Sequence, residues 1–340
     1  MSLRRLALGA ILAWSPAVAE ERSDCAAAPP PVVTLDFGSR YTAESETRSD
    51  FDEEGDRAVT AALKPIDDFV ADLARQTDVL NDPKTEPTRA RKVAACVQAS
   101  ILTWAKGKAL SQLESQGANL SVPSRVGGIA FAYHAARRLL PEASGNAEIE
   151  KWLLERARQT MAFFDSKAPP RASENNLRAW AGLAVTRIGL TLDNSQLINW
   201  GEASARRVAC TADRDGSLPN EMWRGKLALH YQLHAVAPLV TTAALLEDTR
   251  PGLFQACEGA ILRVVDFTLA GLKEPSVVEE LTGKGQTVGG SKKPRDFELA
   301  WLPTFLRFHS DPEAEALSRR VGAFGNSKLG GNQRLLWGVD

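Results

Sequence analysis

From residue 57 onward the chain places apolar residues at helical spacing and shows no sustained strand alternation, which restricts it to an all-α fold. Leu63, Ile66, Phe69, Val70 and Leu73 form one apolar stripe. Further helices are expected over about 87–117, 124–140, 146–167, 174–190, 194–210, 221–247, 252–271 and 295–308. Breaker residues fall between them: Pro123, Pro141, Pro169-Pro170, Asp215-Gly216, Pro251-Gly252 and the stretch GKGQTVGGSKKPR at 283–295. Long helices with short breaks read as helical hairpins, arranged in a ring with a groove on one face. No repeat period fits a solenoid array. A P-loop, a GxGxxG after a strand and a GxSxG elbow are all lacking, so nucleotide and serine-hydrolase chemistry has no motif to rest on.

The chain of 340 residues opens with Arg4 and Arg5, an apolar run from Leu6 to Trp14, and Ala17-Val18-Ala19. That is the pattern of a secretory signal peptide over 1–19, too short to span a membrane. A periplasmic or secreted chain is expected, with no membrane partner once the leader is cleaved. Cleavage would remove two of 41 basic side chains and leave 39 against 42 acidic ones, a net charge of −3. Such a balance provides no broad basic face for nucleic acid, and a polyanionic ligand would need a local cluster of cations. Four cysteines, Cys25, Cys96, Cys210 and Cys257, read as two disulfides in an exported chain, with three possible connectivities. Residues 20–56 form an N-terminal segment ahead of the helical domain at 57–340. Its Pro-rich start should be extended, and the polar, acidic stretch at 39–56 should be a mobile loop.

Two segments carry the chemistry. In SENNLRAWAGLAV (173–185), Asn175 and Asn176 head an apolar helix, where amides either cap the helix or hold a carboxylate. Leu177 fits an apolar stripe with Trp180, Ala181, Ala184 and Ile188. In DGSLPNEMWRGKLALHYQLHAVAPL (215–239), Arg224, Tyr231 and His234 are spaced by seven and three and so share one helix face. A free tyrosine titrates near pH ~10, and a neighbouring guanidinium favours its phenolate. Tyr231, one of three tyrosines, could then abstract a proton and return it. Each residue alone also has a plainer reading: a packed tyrosine, a solvated arginine, capping asparagines. His230 and His234 have the spacing of a zinc pair, but no third ligand completes it, so neither metal nor cofactor is expected.

Together these segments resemble the periplasmic alginate lyases of polysaccharide lyase family five, the poly-β-D-mannuronate lyases. The likeness runs in order through CAAAPPPVVTLDFGSRY, ACVQASILTWAKGKAL, ENNLRAW, GSLPNEMWRGKLALHY, EELTGKGQ, ELAWLPTF and KLGG. It implies an incomplete α/α toroid with a deep groove. It also implies cleavage of an acidic polysaccharide by β-elimination, by a monomer without a cofactor. By that resemblance Asn176 and Arg224 hold and neutralise the substrate carboxylate, and Tyr231 is the catalytic base and acid. Trp180, Asn175, His234, Arg40 and Tyr41 contact substrate, the last two from a lid formed by 39–56. The resemblance further implies a Cys25–Cys96 bridge, which leaves Cys210 and Cys257 for each other. One position departs from the pattern: Leu177 stands where the family has histidine. In mannuronate H5 and O4 lie on one face, so a single phenol can serve a syn elimination, whereas a guluronate link needs base and acid on opposite faces. Two other readings stand beside the lyase: a weak or inactive polysaccharide-binding protein of an exopolysaccharide system, and a helical scaffold.

Overall fold

The computed structural model describes residues 25–141 and 146–339. The leader expected at 1–19 lies outside them. The lead segment is extended, as its prolines require: β1 (Thr34–Leu35) pairs in parallel with β2 (Gln112–Leu113), and the Trp104 indole donates to the Pro29 carbonyl at 2.9 Å. Helix α1 (Glu53–Asn81) starts inside the stretch expected to be loop, because Asp52 caps it by accepting from the Glu54 and Gly55 amides. Its predicted stripe is buried, each member at most 2% exposed. Helix α2 (Pro87–Lys106) ends at Gly107, ten residues before the expected limit, where the chain turns into β2. Helix α3 (Gln116–Arg137) runs straight through Pro123. Proline removes one amide donor there, and burial of Val122, Val126, Ile129 and Ala130 outweighs that loss.

Helix α4 (Ala147–Ser166) leads through the Pro169-Pro170 break to α5 (Asn176–Leu192), followed by α6 (Ser195–Ala209). The helix expected at 221–247 is split into α7 (Pro219–Met222), a 3-10 turn at Gly225–Leu227, and α8 (Ala228–Leu246). Helices α9 (Ala256–Lys273), α10 (Ser276–Thr282), α11 (Leu302–Leu306), α12 (Pro312–Ser318) and α13 (Gln333–Trp337) complete the chain. Near its end, β3 (Gly325–Asn326) and β4 (Gly331–Asn332) pair antiparallel. Disulfides join Cys25 to Cys96 and Cys210 to Cys257.

Helix α5 organises this assembly. It packs on α3 and α4 on one side and on α6 and α8 on the other. Val185 and Ile188 belong to the core built around α1–α4, whereas Ala179, Trp180 and Leu183 belong to the core built around α8 and α9. Its close approach to α6 needs glycine: a Cβ on Gly201 would sit 2.0 Å from the Thr186 hydroxyl. The hairpins thus form an incomplete α/α toroid, and the head of α5 opens into a groove at the seam between the two cores.

Candidate active site

Asn175 is the N-cap of α5: its Oδ1 accepts from the Leu177 amide at 2.9 Å. Asn176, 1% exposed, is the first helical residue and turns to Glu221 of α7. Its backbone amide donates to Glu221 Oε1 at 2.7 Å, and its side-chain Nδ2 lies 3.1 and 3.0 Å from the two carboxyl oxygens. Burial pushes the Glu221 carboxyl up to about 7, against the pull of the Asn176 donors and Arg224.

Arg224 lies in the turn between α7 and α8 and not on the helix that carries Tyr231 and His234. Gly225, with φ of +56°, breaks the helical path there. The turn nevertheless brings the predicted set together. The Arg224 guanidinium stacks on the Tyr231 ring, 3.6 Å from its centroid, with the Tyr41 ring 5.2 Å away. The Tyr41 and Tyr231 hydroxyls share a hydrogen bond. Contrary to the sequence expectation, the Tyr231 phenol is raised above its ordinary value. Burial is the main cause, Arg224 opposes it, and Tyr41 adds to it.

The loop at 39–52 folds over these residues. Arg224 Nε donates to the Thr47 carbonyl at 3.1 Å and its Nη2 to that of Arg48, while Lys226 pairs with Asp50 at 2.8 Å. Arg40 anchors the loop base on α1 through Asp56 and the Thr60 hydroxyl. Tyr41 is thereby held at the site, as a lid residue would be.

Two adjoining cavities meet at His234. The smaller, about 440 Å³, is lined by Arg40, Tyr41, Asn176, Leu177, Arg224 and Tyr231. Leu177 is half-buried, packing on the Phe163–Phe164–Ala181 cluster while it faces this cavity, so it is only partly the core residue its stripe foretold. The larger, about 580 Å³, has Trp180, His230, Phe297, Glu298 and Lys328 among its walls. The Trp180 indole donates to the His234 carbonyl at 3.0 Å, which fixes it in the groove wall. Burial drives the His234 imidazole down to about 3, so it stays neutral. His230 and His234 present parallel rings 6.5 Å apart, and His230 is engaged with Glu298 at 3.1 Å.

Sequence reasoning missed three residues here. Glu221 stands at the first position of the helix expected over 221–247, with nothing in its neighbours to mark it as part of the site. Phe297, 43% exposed, lines the larger cavity, with the Arg295 guanidinium over its ring at 4.6 Å. Lys328, pushed down to about 8 first by burial and then by Arg125, supplies a cation there. ELAWLPTF and KLGG hold or adjoin Glu298 and Lys328, but nothing in those strings reveals that distant loops meet across a groove.

Residues 88–278 match the family described as "Alginate lyase". The chain is 27% identical over 322 residues to an alginate lyase of Cobetia marina, covering 92% of this chain and 83% of that protein. It is 29% identical over 284 residues to a polysaccharide lyase of Stenotrophomonas maltophilia (strain K279a), covering 81% and 80%. Among solved structures, alginate lyase A1-III from Sphingomonas species A1 superposes with a TM-score of 0.71 at 22% identity, covering 92% of this chain and 85% of that one. A histidine-to-alanine variant of A1-III complexed with a tetrasaccharide superposes with a TM-score of 0.75 at 22% identity, covering 92% and 84%. These structures share the toroid.

Proposed function

The chain belongs to the alginate lyase family and is a polysaccharide lyase; we propose that it cleaves a β-1,4-linked polyuronate, mannuronate-rich alginate or a related uronan, by syn β-elimination with Tyr231 as base and acid. The observation that carries this reading is the stacking of Arg224 on Tyr231 beside Asn176 in one lidded cavity. A uronate bound there would place its carboxylate near Arg224 and the head of α5, whose dipole favours an anion. Withdrawal of charge into that carboxylate acidifies H5. The phenol, held protonated by burial, gives its proton to O4 as the same oxygen takes H5. The C4–O4 bond breaks, the C4–C5 double bond forms, and Tyr231 ends the cycle as it began. Arg224 and Asn176 stabilise the enolate-like charge of the transition state. Trp180 and Phe297 line the groove for neighbouring sugar rings. Two disulfides fit an oxidising compartment, and the leader-like start of the chain supports export to the periplasm.

Leu177 favours a second reading, a catalytically weak protein that binds acidic polysaccharide, since an apolar wall replaces a proton-handling group. One assay separates the two. The ultraviolet absorbance of a 4,5-unsaturated uronate is followed for hours with polymannuronate, polyguluronate and glucuronan. Signal on the mannuronate or glucuronate polymer, abolished in Tyr231→Phe, is the expected result. Saturable binding without unsaturated product would transfer the protein to the second reading. Turnover undiminished in Tyr231→Phe would remove the tyrosine from the mechanism.

A further inference from the structure

Glu221 has no solvent exposure, and its carboxyl contacts converge on one residue. Both its oxygens face the Asn176 amide nitrogens, while Asn176 Oδ1 is buried and has no hydrogen-bond partner. A carboxylate can only accept, so ionised Glu221 keeps the Asn176 NH2 turned onto itself. Asn176 lines the cavity, and its Oδ1, itself closed to solvent, is the unused end of the amide. An oxygen is the wrong end to meet an anion; a uronate carboxylate needs N–H. Protonated Glu221 reverses the arrangement. Its carbonyl oxygen still accepts from the Asn176 backbone amide, its O–H donates to Oδ1, and the amide must turn over to receive it, freeing Nδ2.

We propose, resting on the lyase reading above, that Glu221 is a positioning residue that acts as a neutral acid in the substrate complex, holding the Asn176 amide oxygen inward so that its NH2 meets the uronate carboxylate. Asn176 is thus a carboxylate ligand in one protonation state of its neighbour and not in the other. The groups that bear on Glu221 are Arg224, from the turn after α7, and the positive end of α5, both of which favour the anion. Burial opposes them and leaves both states accessible near neutrality. An arriving carboxylate adds a like charge beside Glu221 and favours the proton.

The test begins with the free protein. The Glu221 carboxyl carbon and the Asn176 side-chain amide nitrogen are followed by NMR between about pH 5.5 and 8.5. The two signals should move with one midpoint, and in Glu221→Gln the Asn176 signal should not move, because the glutamine amide donates to Oδ1 at every pH. An Asn176 amide indifferent to Glu221, or a Glu221 ionised across the range, overturns the proposal. A second arm measures binding of a mannuronate tetrasaccharide to Tyr231→Phe. Affinity should fall by up to about tenfold per pH unit above the Glu221 midpoint. The fall centred on the Glu221 midpoint should vanish when Glu221→Gln is added, leaving only the loss near pH 8 as Lys328 gives up its charge, and a fall centred near the Glu221 midpoint that survives the substitution overturns the proposal. Absence of uronan binding in every variant would count against the lyase reading instead, with the amide titration still deciding the coupling.

Discussion

At the scale of the residue, the site turns on which polar groups burial leaves free. Leu177 puts an apolar side chain in the wall of the smaller cavity and packs on the Phe163–Phe164–Ala181 cluster. Placing a donor there with Leu177→His is expected to raise kcat/KM on polymannuronate by at least about a hundredfold, the low end of what one well-placed donor supplies. Unchanged turnover would mean that Asn176 and Arg224 already neutralise the carboxylate. Glu221 also makes a stability prediction. It ionises near its ordinary 4.5 in the unfolded chain and near 7 in the fold. Between those values the folded state holds the extra proton, so stability falls as pH rises from 4.5 to 7, and the deficit is constant above that. Glu221→Gln should therefore gain up to roughly 3 kcal/mol over the parent above pH 7, a gain that vanishes below about pH 4.5. Urea unfolding at several pH values measures it.

At the scale of the element, α5 is both the central strut and one wall of the site. Its cap fixes where Asn176 and Leu177 stand, so Asn175 acts on the site through the helix it starts. Asn175→Ala should cost about 1 kcal/mol, read from urea unfolding, and Asn175→Ser should restore most of it. A loss of sugar affinity in Asn175→Ser at full stability would show instead that this amide touches substrate. The turn after α7 illustrates a limit of periodicity. Seven residues separate Arg224 from Tyr231, which on one helix means a shared face. Gly225 breaks that helix, and the same two side chains meet by stacking across a bend.

At the scale of the whole molecule, the lid and the toroid are tied through the N-terminal segment. Cys25–Cys96 fastens the start of that segment to α2, with a sequence separation of 71. In the chain-entropy account, a loop of that length stabilises the fold by up to about 4 kcal/mol. Cys96→Ser should lower the urea midpoint. It should also weaken turnover at denaturant concentrations where the helices remain intact, because β1 and the lid hang from that tether. Parallel loss of helicity and activity would show that the bridge serves stability alone.

Much of this protein was legible in its residues. The 3.6-residue stripe of α1, the breakers at Pro169-Pro170 and Asp215-Gly216, and the paired segments around Asn176 and Tyr231 fixed the all-α class and the chemistry to look for, because periodicity and turn preference are local properties of the chain. Pro123 inside α3 and the early end of α2 were not legible, since burial against distant helices decides whether a local break is tolerated. Nor could spacing reveal that Glu221 lies sealed against Asn176, that the Tyr231 phenol is raised despite Arg224, or that Lys328 and Phe297 face the groove. Those depend on how much water each group loses, and only the packing of remote elements sets that loss.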